Sequence, residues 1–399
     1  MLRNSLFLAA FACAIAAQAQ AQALYADVRV GLLGLGTPHG IMVMGDQGPL
    51  DVWADGKKVA QLDATDGLSV RFTAQGITAK SLSLDFSAKK KIEFRSPLGR
   101  GFRVRTTQPK GIERVYPGVC EVRSEKGGLR LIATVPLEEY VAGTVQAEAG
   151  KGHTLEYYKL QAVSCRTYAL ANKRRHAAEG FEVCDGTHCQ VFQGRNLQDT
   201  IRLATTLTRD LVVVDPDIQL IHSTFHSNCG GETMNADELW SGSETYLVST
   251  MDTFCLNAPH ATWTRSIPRS KWLAYMRNKG VDTDDSTAVA TLTDHVPVCR
   301  EIYLANCGDR VPLDRLRKDF DLRSTFFSMH PVGDQVVLEG RGFGHGVGLC
   351  QEGAMEMAKD GYSYYDILHH YFAEVHIVDL KSLDFFRDED VNGQLLPHP

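Results

Sequence analysis

The stretch VPLEEYVAGTVQAEAG, Val135 to Gly150, is where this chain changes its period. Upstream, short runs alternate apolar and polar residues: VRVGLL, IMVMG, LDVWADG, LSVRFTAQG, SLSLDFS, KIEFRS, FRVRTT, VCEVRS and LRLIATV, separated by Gly-rich turns such as Glu125 to Gly128. That alternation predicts an all-β first third, from Leu24 to about Thr134. From Pro136 the period becomes helical. Pro136 suits a first helical position, Glu138 and Glu139 put negative charge where the helix macrodipole favours it, and Gly150 supplies the stop. A second helical pattern runs from Leu155 to about His176, with Leu155, Tyr158, Ala162, Cys165 and Ala169 in one seam and Arg166 at its border. The fold class that follows is α+β: a β-rich N-terminal third, then a mixed region in which helices pack on antiparallel strands.

The first helix carries three glutamates in different positions around its axis. Advancing about 100° per residue from Leu137, Val141 falls near 40°, Val145 near 80°, Tyr140 near 300° and Glu148 near 20°, so Glu148 lies in the apolar stripe. Glu138 and Glu139 fall near 100° and 200°, at the rim and on the far side, and read as surface charges. A carboxyl group on the buried side of a last helical turn has its pKa raised by desolvation and by the dipole, which suits a general acid. The bland alternative is a glutamate at a frayed end that snorkels to water. Arg166 reads as a satisfied ion pair or a snorkelling side chain or, with Glu148 on the preceding helix, as a substrate ligand or a charge partner.

The chain opens MLRNSLFLAAFACAIAAQAQAQA, a short apolar run behind Arg3 that ends in Ala-x-Ala spacing. It reads as a signal peptide cleaved at Ala19, Ala21 or Ala23, so the expectation is an exported protein, periplasmic or extracellular. Phe11 and Ala12 make a poor lipidation box for Cys13. No later run is long enough to span a membrane. The formal net charge of -6 over 399 residues disfavours a nucleic-acid partner and offers no basic stripe to anionic lipid. Beyond Cys13 stand Cys120, Cys165, Cys184, Cys189, Cys229, Cys255, Cys299, Cys307 and Cys350, an odd number. Proximity in sequence makes Cys299 with Cys307, and Cys229 with Cys255, candidates for disulfide pairs.

Further along, IHSTFHSNCGGET at Ile221 to Thr233 gathers polar side chains around a double glycine, and SKWLAYMRNKG reads as a helix closed by Gly280. In VVLEGRGFGHGVGLCQEGAMEMA, glycine recurs at Gly340, Gly342, Gly344, Gly346 and Gly348. An extended segment there would have one bare face, permitting close approach of a ligand or another backbone, and would form part of a cleft floor. No GxGxxG or phosphate-loop register fits. GYSYYDILHHYF reads as a helix with core aromatics.

Together these pieces resemble the SpoIID/LytB family, known from the sporulation protein SpoIID and from amidase enhancers. The resemblance rests on VPLEEYVAGTVQAEAG, LQAVSCRTYAL, CDGTHCQVFQG, FHSNCGGETMNADELW with YLVS, PLDRLRKDFDLRSTFFS, and GRGFGHGVGLCQEGAMEMAKDGYSYYDILHHYF, in the family's order from Tyr116 to Val378. It implies four segments: signal peptide 1–23, β-rich region 24–112, catalytic domain 113–380 and tail 381–399. It also implies action on peptidoglycan by a lytic transglycosylase that cuts glycan strands stripped of stem peptides. The family's catalytic glutamate matches Glu148. Arg166 and Tyr168, then His226, Ser227, Gly230, Gly231, Thr233 and His345, match positions that line its cleft. The chain departs from the family in reading AEAG for AEMP, SCRTYA for AARTYA and GLCQ for GMSQ, so Cys165 and Cys350 replace small residues and either pair with each other or simply pack.

In CDGTHCQ, Cys184, His188 and Cys189 could hold zinc, which some family members carry at this segment; the alternative is a disulfide from Cys184. No cofactor is required by the expected chemistry, and such a zinc would be structural. The rival to an enzyme is a wall-binding module that recruits or stimulates a cell-wall amidase, with Glu148 only touching sugar hydroxyls. A zinc hydrolase lacks the HExxH helix it would need.

Overall fold

The computed structural model describes residues 27–383 except 34, 35, 126, 241, 243 and 306–310, together with the backbone of the short strands Asp388–Glu389 and Leu395–Leu396. Residues 1–23, where a signal peptide is expected, and Cys13 and Cys307 lie outside the described residues. The chain divides into two compact units, Met1–Val212 with Val378–Pro399, and Val213–Ile377. The break falls inside the stretch that the family resemblance treats as one catalytic region.

In the first unit the alternating runs form β1 Asp27–Leu32, β2 Gly40–Gly45, β3 Leu50–Ala54, β4 Lys57–Leu62, β5 Gly67–Thr73, β6 Gly76–Lys80, β7 Asp85–Ala88, β8 Lys91–Arg95, β9 Phe102–Gln108, β10 Arg114–Tyr116, β11 Val119–Glu125 and β12 Gly128–Pro136. They build two sheets, one ordered β10-β9-β2-β5-β6-β7 and one that runs β1-β12-β11-β8-β3-β4 and is completed beside β1 by β13, Val183–Cys184. Alternate residues point inward: Val28, Val30 and Leu32 on β1, Ile41 and Val43 on β2, and Val122 on β11 are all buried. β4, β6 and β10 escape the sequence reading because they are short or weakly patterned; β4, KKVAQL, buries only Leu62. β1 pairs antiparallel with β12 and parallel with β13, so the β-rich region and the first helices share one unit.

Those helices are α1 Leu137–Ala149, α2 Leu155–Ala171 and α3 Asp199–Leu207. Tyr140, Val141 and Val145 bury the expected face of α1, which ends at Gly150 with φ 75°. The Thr154 hydroxyl caps α2 by accepting the Tyr157 amide at 3.3 Å. α2 ends at Ala171, not near His176, and the freed turns carry His176 onto Phe181, rings 4.7 Å apart.

The second unit centres on a three-stranded antiparallel sheet, Thr262–Pro268, Gln335–Arg341 and Phe327–Val332, with Gln335–Arg341 in the middle. α4 Arg269–Asn278, α5 Ser286–Thr293 and α6 Leu313–Phe320 close its core around Trp272, Met276, Leu316, Met329 and Leu338. α7 Gln351–Lys359 and α8 Tyr364–Tyr371 follow. On α8 Tyr371 is buried but Tyr365 is exposed, so only part of its aromatic run is core.

The glycine-alternating stretch is not an extended strand. The strand ends at Arg341, and Gly342, Gly344, Gly346 and Gly348 all take positive φ, from 72° to 122°. The bare positions serve close backbone approach: a Cβ on Gly344 would meet the His226 Cβ at 2.6 Å, and one on Gly348 the Thr224 carbonyl oxygen at 2.5 Å. Among the described residues no helix is long and apolar enough to cross a membrane.

Candidate functional site

The site in the first unit starts from a close contact that only glycine permits. A Cβ on Gly143 of α1 would stand 2.2 Å from the Gly194 carbonyl oxygen and 2.5 Å from the Phe192 ring. The helix therefore lies directly on the 190–194 segment, fastened further by Tyr140, whose hydroxyl donates to Gln190 Oε1 at 3.2 Å. This contact delivers the Val191 amide to the last turn of α1, where it donates to Glu148 Oε1 at 2.5 Å. Glu148 is half-buried. Burial pushes its pKa up, and the Val191 amide, which stabilises the carboxylate, offsets part of that rise. The group thus favours its protonated form more than an exposed glutamate does while keeping a donor ready for the anion.

Arg166 does not face Glu148. It is fully buried, and its Nε and Nη2 donate to Glu138 Oε1 and Oε2 at 2.8 and 2.6 Å, with Nη1 donating to the Leu211 carbonyl at 3.0 Å. Glu138 is accordingly not the surface charge its helical angle suggests, whereas Glu139 is exposed. A long buried side chain on α2 can reach the first turn of α1, so rim position alone did not decide solvation. Tyr168 is half-buried, its hydroxyl accepts from Arg175 Nη1 at 3.1 Å, and burial raises its pKa to about 12.

Close to the same segment, one ring nitrogen or sulfur from each of His176, Cys184, His188 and Cys189 lies within 4.8 Å of the others. Cys189 Sγ is 3.4 Å from His176 Nε2 and 3.8 Å from His188 Nδ1, and Cys184 Sγ is 3.9 Å from His188 Nδ1. Both thiols are free. Two thiols and two imidazoles at these separations fit a tetrahedral zinc, and His176 turns its other nitrogen to Glu179 Oε1 at 3.4 Å, as ligating histidines do with carboxylates. Sequence reading missed His176, which has no motif of its own; that CDGTHC offers only three donors was the available signal.

The second unit holds the remaining residues. His226 is buried; its Nδ1 meets the Val347 carbonyl oxygen at 3.2 Å, and its Nε2 has no partner among the described residues. Its ring lies 5.3 Å from that of His345, whose Nε2 meets the Phe225 carbonyl oxygen at 3.0 Å and whose Nδ1 accepts the Val347 amide at 3.1 Å. Burial lowers both pKa values, that of His345 to about 4, so both imidazoles are neutral at ordinary pH. Thr233 is buried and accepts the Thr250 amide at 2.7 Å, and Gly230 and Gly231 form a positive-φ turn, so these three shape the backbone. Ser227 and Glu352 both touch Nδ1 of His260, at 3.3 and 2.5 Å, an arrangement that leaves no relay through the ring. His260 and Glu352 carried no sequence signal.

Residues 125–214, which contain Glu148, Arg166, Tyr168 and all four zinc-type donors, match the family described as Stage II sporulation protein, SpoIID. The chain carries a SpoIID-family domain. It is 27% identical to Stage II sporulation protein D of Bacillus subtilis over 294 residues, 69% of this chain and 85% of that protein. The Bacillus amyloliquefaciens protein of the same name is 28% identical over 268 residues, 63% and 76% of the two chains. The Amidase enhancer of Bacillus subtilis is 25% identical over 284 residues, 58% of this chain and 39% of that longer protein. The SpoIID match ends at Val214, where the first unit gives way to the second. The residues of the second unit that sequence reading singled out therefore lie outside the matched domain.

Proposed function

We propose that this protein is an exported lytic transglycosylase that cleaves peptidoglycan glycan strands, denuded of stem peptides, with Glu148 as its acid and base. The observation that carries the reading is the half-buried Glu148 carboxyl group, raised in pKa and held by a single amide, Val191. In its protonated form Glu148 gives its proton to the glycosidic oxygen as the bond from that oxygen to C1 breaks. The carboxylate, steadied by the Val191 N–H, then takes the proton of the sugar's own C6 hydroxyl as O6 bonds to C1. The products are a 1,6-anhydro-muramic end and a free hydroxyl, with Glu148 returned to its acid form; no water enters and no second carboxylate is required.

Zinc at His176, Cys184, His188 and Cys189 would be structural, since four protein ligands leave no open position for chemistry. Its place in the chain gives it a purpose. Cys189 lies two residues before Val191, so fixing the 184–189 loop fixes the amide on Glu148. Arg166 serves the fold through Glu138, and both ring nitrogens of His345 are taken by backbone groups, which leaves the buried Nε2 of His226 as the imidazole nitrogen of this pair without a partner among the described residues. The relatives' names, a sporulation protein and an amidase enhancer, are consistent with work on the cell wall beside an amidase.

The test is mass spectrometry of amidase-stripped glycan strands incubated with the native protein and with Glu148→Gln, with binding to the same strands measured for both. The expected result is anhydro-ended fragments from the native protein alone and binding by both. Binding by both with cleavage by neither would make this a wall-recognition module that stimulates an amidase and leave Glu148 a ligand contact.

A further inference from the structure

The second unit contains a second cluster of metal-ligating side chains, unrelated to the segment around Cys184. Cys229, Asp252, Cys255 and Cys350 are all buried, and one sulfur or carboxylate oxygen from each lies within 4.8 Å of the others. They come from three stretches of chain: the double-glycine turn, the loop after Thr250 that runs into the short helix Phe254–Asn257, and the residue that caps α7. From this convergence we propose that Cys229, Asp252, Cys255 and Cys350 form a closed tetrahedral site for a zinc-type divalent ion.

The separations suit one ion. Cys229 Sγ is 3.4 Å from Cys255 Sγ and 3.3 Å from Asp252 Oδ2. Two thiolates on a zinc at about 2.3 Å each stand about 3.8 Å apart in tetrahedral geometry. A disulfide between Cys229 and Cys255 would use only two of the four donors. It would leave the Cys350 thiol and the fully buried Asp252 carboxyl group side by side, and among the described residues Asp252 has no ion-pair partner. A single ion would engage all four donors at once.

The surroundings are those of an anionic thiolate site. The Cys229 and Gly353 amides donate to Cys350 Sγ at 3.3 and 3.4 Å, and the Phe254 amide donates to Asp252 Oδ1 at 3.0 Å. Tyr371 donates its hydroxyl to Asp252 Oδ2 at 2.9 Å, fixing the carboxylate as outer-shell partners of metal ligands do. Three thiolates and one carboxylate around a divalent ion carry two net negative charges. The Arg300 guanidinium, bonded to the carbonyl oxygens of Cys229 and Glu232, lies beside them. Gly353 keeps room for the site, because a Cβ there would stand 2.2 Å from Asp252 Oδ2.

The experiment uses the full chain with the first cluster disabled by Cys184→Ser and Cys189→Ser. After gel filtration over chelating resin, elemental analysis is expected to find about one zinc per chain. Replacement by cobalt is expected to give thiolate-to-cobalt charge-transfer absorption, lost on adding Cys229→Ser and Cys350→Ser. Tyr371→Phe, close to isosteric and so expected to fold, should weaken cobalt binding about tenfold or more. Alkylation in denaturant with chelator and no reductant should label Cys229, Cys255 and Cys350 alike. A Cys229–Cys255 cross-linked peptide would overturn the proposal, as would three labelled thiols in a chain that holds no metal. Neither outcome depends on glycan cleavage.

Discussion

Glu138→Ala should damage the fold far more than Glu139→Ala, although the two residues are adjacent and equally charged. Arg166 is fully buried and gives two charge-assisted bonds to the Glu138 carboxylate, at 2.8 and 2.6 Å. A guanidinium does not deprotonate in a protein, so removing the carboxylate strands a buried charge on the carbonyls of Ala162 and Leu211. Breaking a buried pair in this way costs about 3–5 kcal/mol. The Glu138 side chain is 20% exposed, which lets water repair part of the loss and puts the expectation near the lower bound, about 3 kcal/mol. Glu139→Ala should stay within about 0.5 kcal/mol of the native protein. The assay is urea unfolding of each full-length variant followed by tryptophan fluorescence and compared at equal slope. A third chain, Glu138→Leu with Arg166→Met, should recover most of the loss, because replacing both members of a buried pair by apolar groups is often close to neutral. Equal midpoints for Glu138→Ala and Glu139→Ala would refute the reasoning. So would weakened glycan binding by Arg166→Met at undiminished stability, which would return Arg166 to the substrate.

Three further outcomes follow from the same geometry. Glu148 has a folded-state pKa above its unfolded value, so its protonated form favours folding and its stabilising contribution is lost as pH rises through the raised value. Glu148→Gln should therefore unfold at higher urea than the native protein above that pH and lose its advantage below the ordinary carboxylate range, as parallel titrations from about pH 3 to about pH 8 would record (window set by the usual glutamate value of about 4.3). Gly143→Ala should destabilise by about 1–3 kcal/mol through overpacking against Gly194 and Phe192, and should lower strand cleavage by more than stability alone explains, since it lifts Val191 from Glu148. His176→Ala should lower the zinc retained at the Cys184 cluster and, by loosening the Val191 amide that holds the Glu148 pKa down, move the alkaline limb of the cleavage–pH profile to higher pH, read by elemental analysis and by product mass spectrometry.

The α+β class, the strand-rich first third and the burial of one face of α1 were legible because each rests on local periodicity: Val28, Val30 and Leu32 alternate, and Tyr140, Val141 and Val145 share a stripe. Glu148 was legible for the same reason, as a carboxylate on the buried side of a helix with a glycine stop. What escaped was set by contacts distant in sequence. Glu138 meets Arg166 from 28 positions away, Val191 meets Glu148 from 43, and the glycine run bends into positive φ because it must fit against residues 224–230. Periodicity carries no information about such partners.

The three glutamates of α1 show how one helix separates its charges by what lies opposite them. Glu139 faces water. Glu138 gives both carboxylate oxygens to the buried Arg166 guanidinium and is committed to the fold. Glu148 faces one backbone amide and apolar surroundings, which leaves its proton available. A carboxylate placed where Glu138 stands has both oxygens taken by the Arg166 guanidinium, which leaves neither for another partner. On the proposed reading the acid sits at the far end of the helix, 10 residues away, while the ion pair at the near end fixes the helix that carries it.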